Sequence, residues 1–174
     1  LPARCGLGSS SAFTVGFLNC LLNLQNKKVY PKKLANEAIF IEQKRVNETV
    51  GSQDQVAVAY GGFNNIIFKK NSKIYVKPLK LKESKLKKLE ENLILIYTGF
   101  TRNAEAIAKT YVNKLSKKKS NLELMNSTVD TAKNILDNGN IDDIGYLLND
   151  FWHLKKTLSK NISNTYIDEI YDKA

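Results

Sequence analysis

Gly6-Leu7-Gly8-Ser9-Ser10-Ser11-Ala12 leads without a break into Phe13-Thr14-Val15-Gly16-Phe17-Leu18-Asn19-Cys20-Leu21-Leu22-Asn23-Leu24. The second part predicts a helix over Ser9 to Leu24. Its apolar residues fall on nearly every side, and a helix apolar all round is expected to be buried. The first part sets glycines and hydroxyls at that helix's start. A helix N-terminus carries unpaired N–H groups and partial positive charge. Glycines let an anion approach the backbone, and serines add donors or oxygen ligands, so the stretch reads as a phosphate cradle. It is neither a P-loop, since no Lys follows, nor G-x-G-x-x-G, which fails at Ser11. The plainer alternative is a Gly/Ser turn with a serine N-cap.

Outward from the cradle, Asn26 marks a turn and Pro31 opens a second helix expected to reach Glu48. With Leu34 at zero and about 100° per residue, Glu42 falls near 80°, inside the arc of Ala35, Ala38, Ile39, Ile41 and Val46. A carboxylate there is desolvated unless it is paired or holds a metal. Pairing with Arg45, one turn on, is the local alternative. Glu37 and Glu48 lie at the arc's edge or outside it. Gly51-Ser52-Gln53-Asp54-Gln55 then breaks the helix, and a short helical turn is expected over Asp54 to Ala59. Asp54 alone could simply cap that turn. A phosphate loop, a buried acid and a second acid within 55 residues are together what phosphoryl transfer needs: anion binding, Mg²⁺ and a base.

Phe63–Lys70 and Lys73–Leu79 read as a hairpin around Asn71-Ser72, and Ser84–Glu91 as a polar helix. Leu93-Ile94-Leu95-Ile96-Tyr97 is a continuous apolar run that predicts a central strand. Beyond Gly99 the pattern is helical. One stripe joins Ala104, Ile107, Ala108, Tyr111, Val112 and Leu115. A second joins Leu122, Met125, Val129, Ala132 and Leu136. A third joins Ile141, Ile144, Leu148 and Phe151, and a weaker one spans Ile162 to Tyr171. Trp152 and Met125 are expected in the core, and His153 is expected to be structural. The fold class is α+β: residues 1–98 form an α+β half, and residues 99–174 a mainly helical one.

The 174 residues are 43% hydrophobic, an ordinary globular fraction that excludes disorder as the main state, and they carry a net charge of +10. Lysine pairs are scattered, and only Lys117-Lys118-Lys119 forms a longer run, expected to end a helix. Nucleic-acid binders cluster their charge with Arg and aromatics, so no nucleic-acid partner is expected. No apolar stretch is long enough to span a membrane. Cys5 and Cys20, the second about 16 Å along the first helix from Ser9, are too far apart to bridge. Reduced, buried thiols suggest a cytoplasmic protein. Leu1 reads as an internal position and the chain as part of something longer.

Pro2 to Ala12 resembles the second signature of the GHMP kinases (galactokinase, homoserine, mevalonate and phosphomevalonate kinases). Ile41-Glu42-Gln43 followed by Val50-Gly51-Ser52-Gln53-Asp54-Gln55 is similar to the sugar-kinase branch, and Tyr97-Thr98-Gly99-Phe100-Thr101-Arg102-Asn103-Ala104 adds a third block. The resemblance implies the middle portion of the GHMP kinase fold, an α+β ATP-binding half followed by part of the C-terminal half. It implies ATP and Mg²⁺ as cofactors. Gly6, Leu7, Gly8, Ser9, Ser10 and Ser11 would hold the ATP phosphates, Ser10 and Glu42 would ligate Mg²⁺, and Asp54 would be the general base. Arg102 would contact substrate phosphate or hydroxyl, unless it is merely an exposed cation near a helix start. The implied partner is a phosphorylated sugar, with heptose 7-phosphate phosphorylated at its anomeric hydroxyl. The alternatives are a galactose or fucose acceptor, or a relative that binds ligand without turnover.

Overall fold

The computed structural model describes residues 6–99, 101 and 104–173. It is α+β. Residues up to 80, with 101, 104 and 105, form one compact unit, and residues 81–99 with 106–173 form a second.

In the first unit, α1 spans Ser9–Leu24, α2 Pro31–Phe40 and α3 Gln53–Tyr60. Gly8 (φ 66°) caps α1 without a side-chain bond, so the N-cap is glycine and not a serine. Pro31 sits in the first turn of α2, where its missing N–H costs nothing. Val15, Leu34 and Ala38 form the buried core, with Leu18, Leu22, Val29 and Ala59 packed against it. Ala35 and Ala38 are small and fully buried, which lets neighbouring helices approach α2 closely.

The expectation that α1 is buried all round is corrected. Only Ser11 and Val15 are buried, while Phe13 is 72% exposed, and Phe17, Leu21 and Leu24 are exposed too. A helix is enclosed only when neighbours meet every side, and the helices packed on α1 are α2 and α3. Phe13 and Phe17 instead stack on each other, their ring centroids 5.8 Å apart. Cys20 is likewise an exposed free thiol, not a buried one.

The second helix also ends early. After Phe40 the backbone widens into a π turn over Ile41–Arg45. Val46 N–H donates to Ile41 O at 2.8 Å, and Glu48 N–H to Glu42 O at 2.9 Å. π turns occur mostly as single-turn insertions and often at functional sites. Past α3, β1 (Asn64–Phe68) and β2 (Ile74–Pro78) pair antiparallel, with Ile66 opposite Val76. This is the expected hairpin, turned at Asn71-Ser72.

The second unit contains α4 (Glu83–Glu91), α5 (Ala104–Val112, shared at its start with the first unit), α6 (Lys119–Asn138), α7 (Asp143–Lys156) and α8 (Thr165–Lys173). Leu136, Ile141, Leu158 and Ile162 are its buried residues. Lys85 Nζ donates to Leu136 O at 3.0 Å and Asp137 O at 2.9 Å, which satisfies carbonyls at the end of α6. Three expectations are corrected here. Leu93–Tyr97 forms no strand and has no regular structure, and Ile94 is 86% exposed. An apolar run becomes a strand only where another strand takes up its N–H and C=O groups, and among the described residues β1 and β2 pair with each other alone. Lys117-Lys118-Lys119 does not end a helix: it lies across a 3₁₀ turn (Leu115–Lys118) and the first residue of α6. Lys118 Nζ donates to Thr157 O at 3.0 Å, beside the end of α7. Along α7 the inward stripe passes through Leu147 and not Leu148, which is 52% exposed. Trp152 and Met125 are half-buried, and His153 is exposed. No helix among the described residues is long and apolar enough to cross a membrane.

Candidate functional site

The site is built from three short segments: the start of α1, the π turn, and the start of α3. At the first, the chain needs left-handed backbone at Gly6 (φ 82°) and Gly8 (φ 66°), conformations that cost a glycine little. Ala12 N–H donates to Gly8 O at 2.9 Å, so the helix begins at once. Among the described residues no acidic side chain of its own first turn and no side-chain hydrogen bond caps the positive end of this sixteen-residue helix. Leu7, Ser9 and Ser10 are exposed, Gly6 and Gly8 line the same turn, and Ser11 is buried.

The second segment supplies Glu42, which is 3% exposed. Its place inside the apolar arc of α2 was legible, and the structure buries it. The Arg45 pairing is not what holds it: Arg45 lies over the Phe40 ring, 5.3 Å from its centroid. The partners of Glu42 come from outside the helix. Ser11 Oγ donates to its Oε2 at 3.0 Å, and Gln55 Nε2 donates to the same oxygen. Its other oxygen, Oε1, is buried and has no hydrogen-bond partner among the described residues.

The third segment carries Asp54 and Gln55 in the first turn of α3. Ser52 is the helix cap position, so Asp54 is not the N-cap residue but stands inside the first turn. A carboxylate there interacts favourably with the helix dipole. Gln43 Nε2 ties this entry together by donating to Val50 O at 3.0 Å and Ser52 Oγ at 3.1 Å. Asp54 is exposed, and its side chain rests on the Gly6–Ser11 loop: a Cβ on Gly8 would lie 3.2 Å from both Asp54 Cγ and Oδ2. Gly8 is favoured by its φ, and a side chain there would also crowd the Asp54 carboxyl.

The structure thus brings together Gly8, Ser11, Glu42 and Asp54. It leaves Ser10 on the exposed side of the first turn, its carbonyl accepting from Thr14 Oγ1 at 3.2 Å. The serine bonded to Glu42 is Ser11. Arg102 lies outside the described residues. Gln55, 1% exposed, is the member the sequence reading missed. Its only signal was its place next to Asp54, which does not tell a buried glutamine from an exposed one.

A hard cation fits this donor set. The unpartnered buried Oε1 of Glu42 is a carboxylate oxygen awaiting a donor or a cation, and a serine hydroxyl lies beside it. No group of three or more His, Cys, Asp or Glu is gathered among the described residues. Mg²⁺ takes one or two carboxylates and completes its shell with phosphate and water, so a single buried carboxylate oxygen with a hydroxyl near it is a set it can use.

Residues 1–62 match the GHMP kinases N terminal domain. The match covers the first 62 residues, and the solved structures this chain is similar to include a heptose phosphate kinase and a sugar kinase. More particularly, the chain is 32% identical over 177 residues to the D-glycero-alpha-D-manno-heptose 7-phosphate kinase of Campylobacter jejuni, an alignment covering 100% of this chain and 52% of that protein. The crystal structure of a D-glycero-D-manno-heptose 1-phosphate kinase from Bacteriodes thetaiotaomicron matches with a TM-score of 0.68 at 29% identity, covering 90% of this chain and 45% of that one. A galactokinase from Pyrococcus furiosus is 41% identical over 68 residues, 39% of this chain and 19% of its own length. The chain spans about half the length of the two heptose kinases it matches.

Proposed function

We propose that this chain carries the nucleotide-handling and catalytic segments of an ATP-dependent sugar kinase. The γ-phosphate of ATP passes to the anomeric hydroxyl of D-glycero-D-manno-heptose 7-phosphate, in the making of nucleotide-activated heptose, and the enzyme works in the cytoplasm. The observation that carries this reading is the contact of Asp54 with Gly8 at the open N-terminus of α1. It puts a proton acceptor beside a place suited to phosphate.

In this reading the loop Gly6–Ser11 binds the nucleotide phosphates through backbone N–H groups and hydroxyls. Glu42 through its unpaired oxygen, with Ser10 from the adjoining turn, would hold Mg²⁺, which would neutralise phosphate charge when bound. Asp54 takes the proton of the acceptor hydroxyl as its oxygen forms a bond to the γ-phosphorus. The bond from that phosphorus to the bridging oxygen breaks, and ADP leaves with the electron pair. Arg102 contacts the substrate. Most of the catalysis then comes from positioning and charge stabilisation, as is general for phosphoryl transfer.

The acceptor is the least constrained part, because the two heptose kinases are named for different phosphate positions and the galactokinase for an unphosphorylated sugar. ADP release by the full-length protein with Mg²⁺ and ATP, measured against heptose 7-phosphate, heptose 1-phosphate, galactose and fucose, tests it. Turnover with heptose 7-phosphate well above the rest is expected. Preference for galactose or fucose would give the alternative acceptor, and binding without ADP release would mark a non-catalytic relative.

A further inference from the structure

The polar cluster around Glu42 holds one residue more than phosphate and cation binding require. Gln55 is 1% exposed, at the start of α3, and its Nε2 meets Glu42 Oε2. The nitrogen must be the atom on that side, because an amide oxygen would face a carboxylate oxygen with no proton between them. Its own Oε1 is buried without a partner. A side chain that served only to fill the core would do better as methionine, which fills a similar space and strands no acceptor. What the amide provides is direction. Both donors of the cluster, Ser11 Oγ and Gln55 Nε2, fall on Oε2, and none falls on Oε1.

We propose that Gln55 is a positioning residue: with Ser11 it pins Oε2 of Glu42 and so leaves Oε1 as the oxygen offered to a divalent cation. This rests on the reading of Glu42 as a cation ligand. A carboxylate held by two donors on one oxygen cannot turn freely about its last bond, so the free oxygen keeps a fixed aim. Losing such an orienting partner typically costs about 10- to 100-fold in metal affinity.

The test is Mn²⁺ binding to the full-length protein, followed by electron paramagnetic resonance of the free ion, for the native sequence, Gln55→Met and Glu42→Gln. ADP affinity without metal is measured alongside. Gln55→Met should weaken Mn²⁺ about 10- to 100-fold and leave metal-free ADP affinity unchanged, with Glu42→Gln at least as weak for Mn²⁺. Native Mn²⁺ affinity in Gln55→Met, with Glu42→Gln weakened, overturns the positioning role alone. Native affinity in Glu42→Gln overturns the ligand reading and the proposal with it. Loss of ADP and Mn²⁺ together in Gln55→Met marks a packing role and also overturns it. Should that variant fail to fold, the native protein still decides. The side-chain amide protons of Gln55 should be broadened by substoichiometric Mn²⁺, and sharp, unshifted signals would overturn the proposal.

Discussion

The two units treat charge in opposite ways. In the first, a carboxylate and an amide are buried with acceptor atoms left unpaired at Glu42 Oε1 and Gln55 Oε1. In the second, the charged groups stand near solvent and bond to neighbours. Lys88 meets Asp142 at 2.9 Å, and Asn92 donates to the same carboxylate at 3.1 Å. Lys156 meets Asp168 Oδ1 at 3.2 Å, where Ser163 also donates at 2.8 Å. A buried unpaired acceptor costs free energy that packing must offset, so it persists where a ligand can complete it. An exposed ion pair costs and contributes little. Trp152 Nε1 in the second unit is also buried without a partner among the described residues, but it is a neutral donor. In the reading proposed above the buried pair of the first unit serves chemistry, and substitutions in each unit can break the contrast.

The largest effect is expected at Asp54. Asp54→Asn keeps size and most hydrogen bonding but cannot accept the sugar proton. It should lower kcat about 10²- to 10⁴-fold, with ATP affinity little changed. Since Asp54 is not the cap residue of α3, its structural loss should be limited to the dipole interaction. A kcat within about threefold of the parent, with chemistry limiting, would remove it from proton transfer.

Next comes Glu42. Glu42→Gln preserves shape and removes the charge, so the Mg²⁺ concentration giving half-maximal rate should rise about tenfold or more. Unchanged metal dependence would make Glu42 a buried structural acid, and the contrast between the units would lose its main support. Third is Gly8→Ala. A methyl at φ 66° and 3.2 Å from the Asp54 carboxyl should cost about 1–3 kcal/mol in chemical denaturation and displace Asp54 from the loop. Parent stability together with parent kcat would show that the loop tolerates a different path.

The smallest effect lies in the second unit. The Ser163 hydroxyl, and after it the Lys156 ammonium, hold the Asp168 carboxyl below its usual range. A depressed folded pKa contributes stability that is present above the ordinary carboxylate range and lost as pH falls through the folded value. Asp168→Asn should therefore lower Tm slightly at pH 7, and the difference should vanish under acid conditions. An equal deficit at both pH values would show that the bond geometry matters and the charge does not. Catalytic parameters should not move in either case.

Local physics settled much of this molecule in advance. The bounds of α1 follow from Gly8 and the apolar stretch after it, and α2 opens at Pro31. The hairpin follows from the alternation of Ile74 and Val76 with Tyr75 and Lys77. The burial of Glu42 could be read from its angle among Leu34, Ala35, Ala38 and Ile41, because helical periodicity fixes which side chains share a face. Where the second helix ends was not legible, since the π turn at Ile41–Arg45 rests on backbone bonds that no residue type announces. Nor was the fate of Leu93–Tyr97: whether an apolar run is a strand depends on who pairs with it.

Sequence by itself determined that a glycine–serine loop opens a helix, that an acid is buried nearby in the chain, and that a second acid follows a glycine break. Only tertiary structure decided that Ser11, thirty-one positions from Glu42, is the serine that bonds it, that Gln55 shares the same oxygen, and that Asp54 lies on Gly8. The reason is range. Periodicity and capping act over one or two helical turns, whereas these contacts join three segments through the packing of α1, α2 and α3, where a one-residue change in register exchanges a buried serine for an exposed one.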